Sequence, residues 1–228
     1  MASKSKSVWY CTSCGNESPK WMGRCPACGE WNTMVEAPSE ARKGTPARRI
    51  SDSSERKPRK LKDIDYSAEA RVSLGIGELD RLLGGGMVPG SLILIGGEPG
   101  IGKSTLSLQI PLGCPGMKTL YVTGEESERQ VKMRAARLSP GGIPDDCLIY
   151  CETLIDSIID EASAISPDLV IVDSVQTMYT DSIESTPGSV SQIKEVAARL
   201  LRFAKESGVP VILIGHITKD GYIAGPKI

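Results

Sequence analysis

Aromatic side chains are scarce in this chain: one of its 228 residues is Phe, and Phe, Trp and Tyr together make up 4%. Any core must therefore be aliphatic, built largely from Leu, Ile and Val. Long apolar runs are also missing. No stretch approaches the ~18 consecutive apolar residues of a membrane span. Lys4 and Lys6 near the N-terminus are followed by no apolar segment, so the start does not read as a secretory signal. These absences exclude a membrane partner and make the cytoplasm the expected compartment. The formal net charge is only −1. Seven cysteines, an odd number in a cytoplasmic-looking chain, argue against a disulfide framework. No internal repeat is found. What remains has 40% apolar and 24% charged residues, enough for one ordinary domain with a core of its own plus a smaller module.

Composition divides the chain. Residues 1–34 hold a compact cysteine- and tryptophan-rich island. Residues 35–68 form a basic stretch, rich in Pro and Ser and poor in large apolar groups, that reads as a flexible linker. Residues 69–228 carry alternating apolar runs and helical periodicities. Residues 1–62 contain thirteen Lys/Arg against six Asp/Glu, a surplus of seven that leaves −8 for the remainder. A basic front on an acidic body fits a polyanion contact and equally a solvated linker.

Four cysteines fall in two knuckles, Cys11-x-x-Cys14 and Cys25-x-x-Cys28, ten residues apart. Paired thiolates on tight turns can close a tetrahedral Zn²⁺ site, and four sulfurs leave no open position for catalysis. An iron–sulfur centre is the alternative. Gly15 and Gly29 follow the second cysteine of each pair, where the backbone must turn unhindered. Trp9, Trp21 and Trp31 surround the knuckles. They read either as the miniature core of the module or, with Lys20 and Arg24, as a platform for nucleobases or a partner. Cys114, Cys147 and Cys151 have no motif spacing and read as ordinary small apolar residues.

From Ser91 onward, strands and helices alternate. Strands are expected at 91–95, 120–123, 147–150, 169–172 and 211–214, and helices from about 103, over 126–138, 154–165 and 190–207. Continuous apolar strands between amphipathic helices define an α/β fold with a parallel sheet covered on both faces. Between the first strand and helix lies Gly97-Glu98-Pro99-Gly100-Ile101-Gly102-Lys103-Ser104-Thr105. This is the P-loop pattern in its proper strand–loop–helix context. Loop amides and the helix start point at phosphates, and the glycines remove obstructing side chains. Lys103 reaches the terminal phosphates, the Ser104 hydroxyl ligates Mg²⁺ and Thr105 supports the loop or the nucleotide. Asp173, ending an apolar strand, is placed for the Mg²⁺ water shell, whereas Asp168 reads as a surface or capping residue. Glu125 is the candidate that polarises water and Glu126 its alternative. A structural reading, in which the pair caps the following helix, suits Glu126. His216 follows the last strand as a γ-phosphate sensor candidate or a structural histidine, with Thr218 and Lys219 beside it. The loop between Asp173 and Gly188 is polar and reads as mobile.

Together YCTSCG, WMGRCPACGEWNT, SLGIGELDRLLGGGMVPGSLILIGGEPGIGKST, YVTGEES, LVIVDSVQT, PGSVSQIKE and GHITKDGYIAGPK resemble the bacterial RadA/Sms family of DNA-repair proteins. Gly75-x-x-Glu78-Leu79-Asp80 and Pro89-Gly90 resemble the broader RecA/KaiC-like group. The family resemblance implies a RecA-like P-loop ATPase core behind a C4 zinc finger. It also implies ATP, Mg²⁺ and Zn²⁺, a hexameric ring, and a DNA-dependent ATPase driving branch migration. Single-stranded and branched DNA, the recombinase RecA and the replicative helicase are the implied partners. Lys103, Asp173 and Glu125 become the catalytic set, and the loops at 176–188 and after His216 face DNA. On this resemblance the core is incomplete at Ile228, with a Lys-Asn-Arg-Phe-Gly motif and a Lon-like domain expected beyond it. A KaiC-like ATP-binding switch acting on proteins, or a zinc-dependent scaffold, are the alternatives.

Overall fold

The computed structural model describes residues 9–12, 15–36, 60–63 and 71–216. Cys14, most of the 35–68 linker, and Thr218 and Lys219 with the loop after His216 lie outside the described residues. The chain divides into two units, Met1–Glu69 and Ala70–Ile228.

In the first unit, β1 (Trp9–Cys11) lies between β2 (Glu17–Ser18) and β3 (Met34–Glu36) in an antiparallel sheet. Cys11 opposite Met34 sets the register of the β1–β3 pair. Its core is small: Cys11, Cys25 and Met34 are buried, and Trp9 packs against them. Of the two readings of the tryptophans, the core one fits Trp9 alone. Trp21 is 56% exposed and Trp31 70% exposed, because so small a core has no room for a second indole.

In the second unit the alternation of side chains along each strand decides which helices cover which face. The strands are β4 (Leu92–Gly97), β5 (Thr119–Thr123), β6 (Cys147–Cys151), β7 (Leu169–Asp173) and β8 (Val211–His216). They form one parallel sheet in the order β4-β8-β7-β5-β6. Leu120, Val122, Val170, Val172, Val211 and Leu213 face α4 (Ile155–Ile165) and α5 (Val190–Ser207). Tyr121, Leu169, Ile171, Ile212 and Ile214 face α2 (Lys103–Gly113) and α3 (Glu128–Leu138). The one phenylalanine, Phe203, is a minor member of an otherwise aliphatic core. Ile171 sits on a central strand with no exposure. Ile171→Ala should cost roughly 2–5 kcal/mol, read as a lower denaturant midpoint with an unchanged slope.

The structure departs from the sequence expectations in three places. A short helix, α1 (Gly77–Leu82), precedes the sheet. Second, α3 begins at Glu128 with Ser127 as its cap, in a capping box with Gln130. Glu126 is therefore no helix cap; it pairs with Arg134. Third, the polar segment after Asp173 is tied down. The Gln192 carboxamide accepts from Thr180 N at 2.9 Å and donates to Thr180 O and Ser185 O, each at 3.0 Å. Met178 and Val175 of the same segment are buried in the core. Asp168 is exposed and accepts from Lys118 N at 2.8 Å, an edge role as expected.

Candidate nucleotide site and metal centre

Because all five strands run parallel, their C-terminal ends meet along one edge, where ligands of open α/β sheets bind. The loop 97–102 leaves β4 there and enters α2. Gly102, the N-cap, has φ 98°, the left-handed region that favours glycine. The helices α3 and α5 are capped by Ser127 and Ser189, but α2 has no side-chain cap and no acid in its first turn. Its leading amides and positive dipole end are thus left to an anion. A Cβ on Gly97 would come 2.5 Å from Ile101 Cδ1, so the Ile101 side chain packs into the space the glycine leaves. Lys103 is 5% exposed; its ammonium turns back into the loop, donating to Gly97 O at 2.9 Å and Glu98 O at 2.8 Å. An uncapped helix start, a glycine cradle and an inward lysine fit a magnesium-bound triphosphate. Ser104 and Thr105 follow Lys103 in the first turn of the same helix.

One strand, β8, separates β4 from β7, and β5 lies on the other side of β7. Asp173 ends β7 opposite Thr123 of β5. It is 5% exposed and accepts the Tyr121 hydroxyl at 2.7 Å on Oδ2. Two residues beyond Thr123, Glu125 accepts the Ser174 hydroxyl at 2.6 Å on Oε1. His216 Nε2 is 3.4 Å from the same oxygen. His216 Nδ1 is buried without a partner among the described residues, while Gln176 Nε2 donates to His216 O at 3.1 Å. The two glutamates therefore diverge: Glu125 turns to β7 and β8, Glu126 to Arg134 of α3. Gly124, between Thr123 and Glu125, is a site residue that sequence reasoning missed. A Cβ there would stand 2.5 Å from Thr177 Oγ1 and 2.7 Å from Thr153 Cγ2. Tyr121 and Ser174 were missed as well. Only their partners about fifty residues away make their hydroxyls part of the site.

The knuckles of the first unit share one turn geometry. Cys11 N donates to Asn16 O at 2.9 Å and Gly15 N to Cys11 O at 2.8 Å. Cys25 N donates to Glu30 O at 2.8 Å and Gly29 N to Cys25 O at 2.9 Å. Both glycines have positive φ, 72° and 77°, as their place in the turn requires. The ligand atoms of Cys11, Cys25 and Cys28 lie within 4.8 Å of one another, and Cys11 Sγ is 3.7 Å from Cys28 Sγ. Tetrahedral Zn–S bonds of about 2.3 Å put sulfurs about 3.8 Å apart, so the residues present fit the ion. Thr33 Oγ1, 3.2 Å from Cys11 Sγ, is within reach of a thiolate there. Arg24 lies over the exposed Trp31 ring, 5.9 Å from its centroid. The remaining thiols are unlike ligands. Burial pushes Cys114, Cys147 and Cys151 above the ordinary thiol range, away from the thiolate a metal requires.

The fold and this edge define a RecA-like P-loop α/β domain, accompanied by a cysteine-knuckle metal ribbon. The chain belongs to the AAA domain family, whose family model matches residues 56–222. A zinc-ribbon model described as rubredoxin metal binding domain matches residues 9–36. The chain is 48% identical to DNA repair protein RadA of Bacillus subtilis, over 99% of this chain and 50% of that protein. It is 47% identical to DNA repair protein RadA of Escherichia coli, over 100% of this chain and 50% of that protein. These relatives carry the name of the family that the motifs resemble, and the chain spans about half their length. A solved DnaB-like replicative helicase, described with its interactions with primase, shares the fold. Its TM-score is 0.55 at 17% identity, over 68% of this chain and 45% of that one. Among the described residues no helix is long and apolar enough to cross a membrane.

Proposed function

We propose that this chain is the zinc-ribbon and motor portion of a DNA-repair ATPase that couples ATP hydrolysis to strand movement, promoting branch migration of recombination intermediates. The observation that carries the reading is the strand-end constellation. An uncapped P-loop helix follows β4, Asp173 ends β7, and Glu125 stands beyond β5 with its carboxylate turned toward β7.

In this reading the α2 amides and Lys103 bind the triphosphate, and Lys103 exchanges its two loop carbonyls for phosphate oxygens. Ser104 and Asp173 hold the Mg²⁺ side of the nucleotide. Bound magnesium neutralises charge that develops on the phosphate oxygens. Glu125, oriented by Ser174, accepts a proton from the attacking water and raises its nucleophilicity. His216 touches the same carboxylate and sits at the end of β8, so it reports the state of the site to the segment that follows. Gly97 to Thr105, with Lys103, Ser104, Asp173, Glu125 and His216, are the residues assigned to this work.

The family resemblance of the motifs implies the partners: single-stranded and branched DNA, with a RecA recombinase and a replicative helicase as protein partners and a homo-hexamer as the working assembly. Identity of 44–48% to proteins named for DNA repair supports DNA among these partners. The domain boundaries are 1–34 for the zinc finger, 35–68 for the linker and 69–228 for the motor domain. Exposed Trp21 and Trp31, with Arg24, give the finger a contact surface.

The test is ATP turnover of the intact protein with and without single-stranded DNA. A several-fold rise, falling with salt as phosphate contacts are screened, is expected. Equal turnover with and without DNA overturns the motor reading and favours an ATP-binding switch acting on proteins.

A further inference from the structure

Asp173 has two carboxylate oxygens and the protein already uses one of them. Tyr121 lies two residues before Thr123 on β5, and Thr123 is opposite Asp173 in the sheet register. The ring is fully buried on the face covered by α2 and α3. From there its hydroxyl reaches along the sheet to Asp173 Oδ2 at 2.7 Å. Proton accounting fixes the direction of this bond. Ser107 Oγ, 3.5 Å from the Tyr121 hydroxyl, donates its own proton to Ser104 O at 3.1 Å. A carboxylate has no proton to offer, so the Tyr121 proton lies toward Asp173. A hydroxyl placed this deep without an acceptor would be costly. The aspartate is its acceptor, and Ser107 joins the same group to the first turn of α2.

We infer that Tyr121 is a positioning residue for the magnesium side of the site. It holds Asp173 by Oδ2 so that Oδ1 is the oxygen presented to the ion's water shell. The inference rests on the reading of Asp173 given above. It adds a residue that neither the P-loop pattern nor the acidic strand end contains. An outer partner of this kind changes metal affinity by about 10-fold or more when removed. It leaves the phosphate contacts of the loop alone.

Tyr121→Phe keeps the ring and deletes only the hydroxyl. The affinity of the intact protein for a fluorescent ATP analogue is measured across a magnesium series and in EDTA, for wild type, Tyr121→Phe and Asp173→Asn. Tyr121→Phe is expected to match wild type in EDTA, which also shows that the loop is folded. Its magnesium midpoint should rise about 10-fold, with turnover recovering at high magnesium. Asp173→Asn is expected to lose most of the magnesium response. If Asp173→Asn loses that response while Tyr121→Phe keeps the wild-type midpoint, the positioning role is overturned and the reading of Asp173 stands. If Asp173→Asn keeps the wild-type response, the reading of Asp173 falls and the inference falls with it. A Tyr121→Phe protein that binds more weakly even in EDTA also overturns the inference, since the hydroxyl would then be holding the loop and not the carboxylate.

Discussion

Glu125→Gln should bind ATP as wild type does and turn it over about 10²–10⁴-fold more slowly, the range for loss of a general base. The substitution keeps size and the Ser174 contact, since a glutamine carbonyl accepts the 2.6 Å hydrogen bond as a carboxylate oxygen does. What it removes is proton affinity. Glu126→Gln is the control. Its partner is Arg134 on α3, so it should perturb local stability and leave turnover within about 10-fold of wild type. Single-turnover hydrolysis with nucleotide binding measured in parallel separates the two. Near-normal turnover in Glu125→Gln would remove Glu125 from the mechanism and reopen the choice between the adjacent carboxylates.

Removal of zinc should unfold the ribbon and leave the sheet of the second unit intact. The ribbon's buried set amounts to Cys11, Cys25 and Met34 with Trp9 against them. So small a core cannot offset the chain entropy of some thirty residues. Metal binding to a cysteine ribbon is worth about 10–16 kcal/mol at neutral pH, and this is folding free energy. The sheet of the second unit is built from two aliphatic cores that contain none of these residues. Cys25→Ser, or chelation of the wild type, should therefore abolish amide protection over residues 9–36 while β5 and β7 stay protected. Hydrogen exchange with metal analysis reads both. Protection of 9–36 that survives loss of the metal would show that the ribbon folds without it.

Much of this architecture was legible because the chain states it locally. The Val190–Ser207 helix announces itself through an apolar stripe and a glycine stop. The 169–173 strand is a continuous apolar run before an acid. The P-loop is a spacing whose neighbours agree with it. Strand order is different. Apolar alternation says that β8 is a buried strand but not that it slips between β4 and β7, a choice made by packing over a hundred residues of sequence. The short helix α1 escaped because none of its residues is buried, so no stripe marks it. The start of α3 lies two residues beyond the adjacent acids Glu125 and Glu126, at a capping box whose Ser127-x-x-Gln130 spacing is present in the sequence. Tyr121 reads from sequence only as one more apolar strand residue. Its polar tip acquires meaning from Asp173, 52 positions later. Ser174 likewise depends on Glu125, 49 positions before it.

The central claim is that the turn from β4 into α2 grips a triphosphate by its amides and Lys103. Isothermal titration of ATP into the intact protein, in magnesium and in EDTA, tests it most directly when run beside Lys103→Ala. The account predicts saturable binding at one site per chain, tightened by magnesium and lost in the variant. Binding that is absent in the wild type, or unchanged in Lys103→Ala, would contradict it.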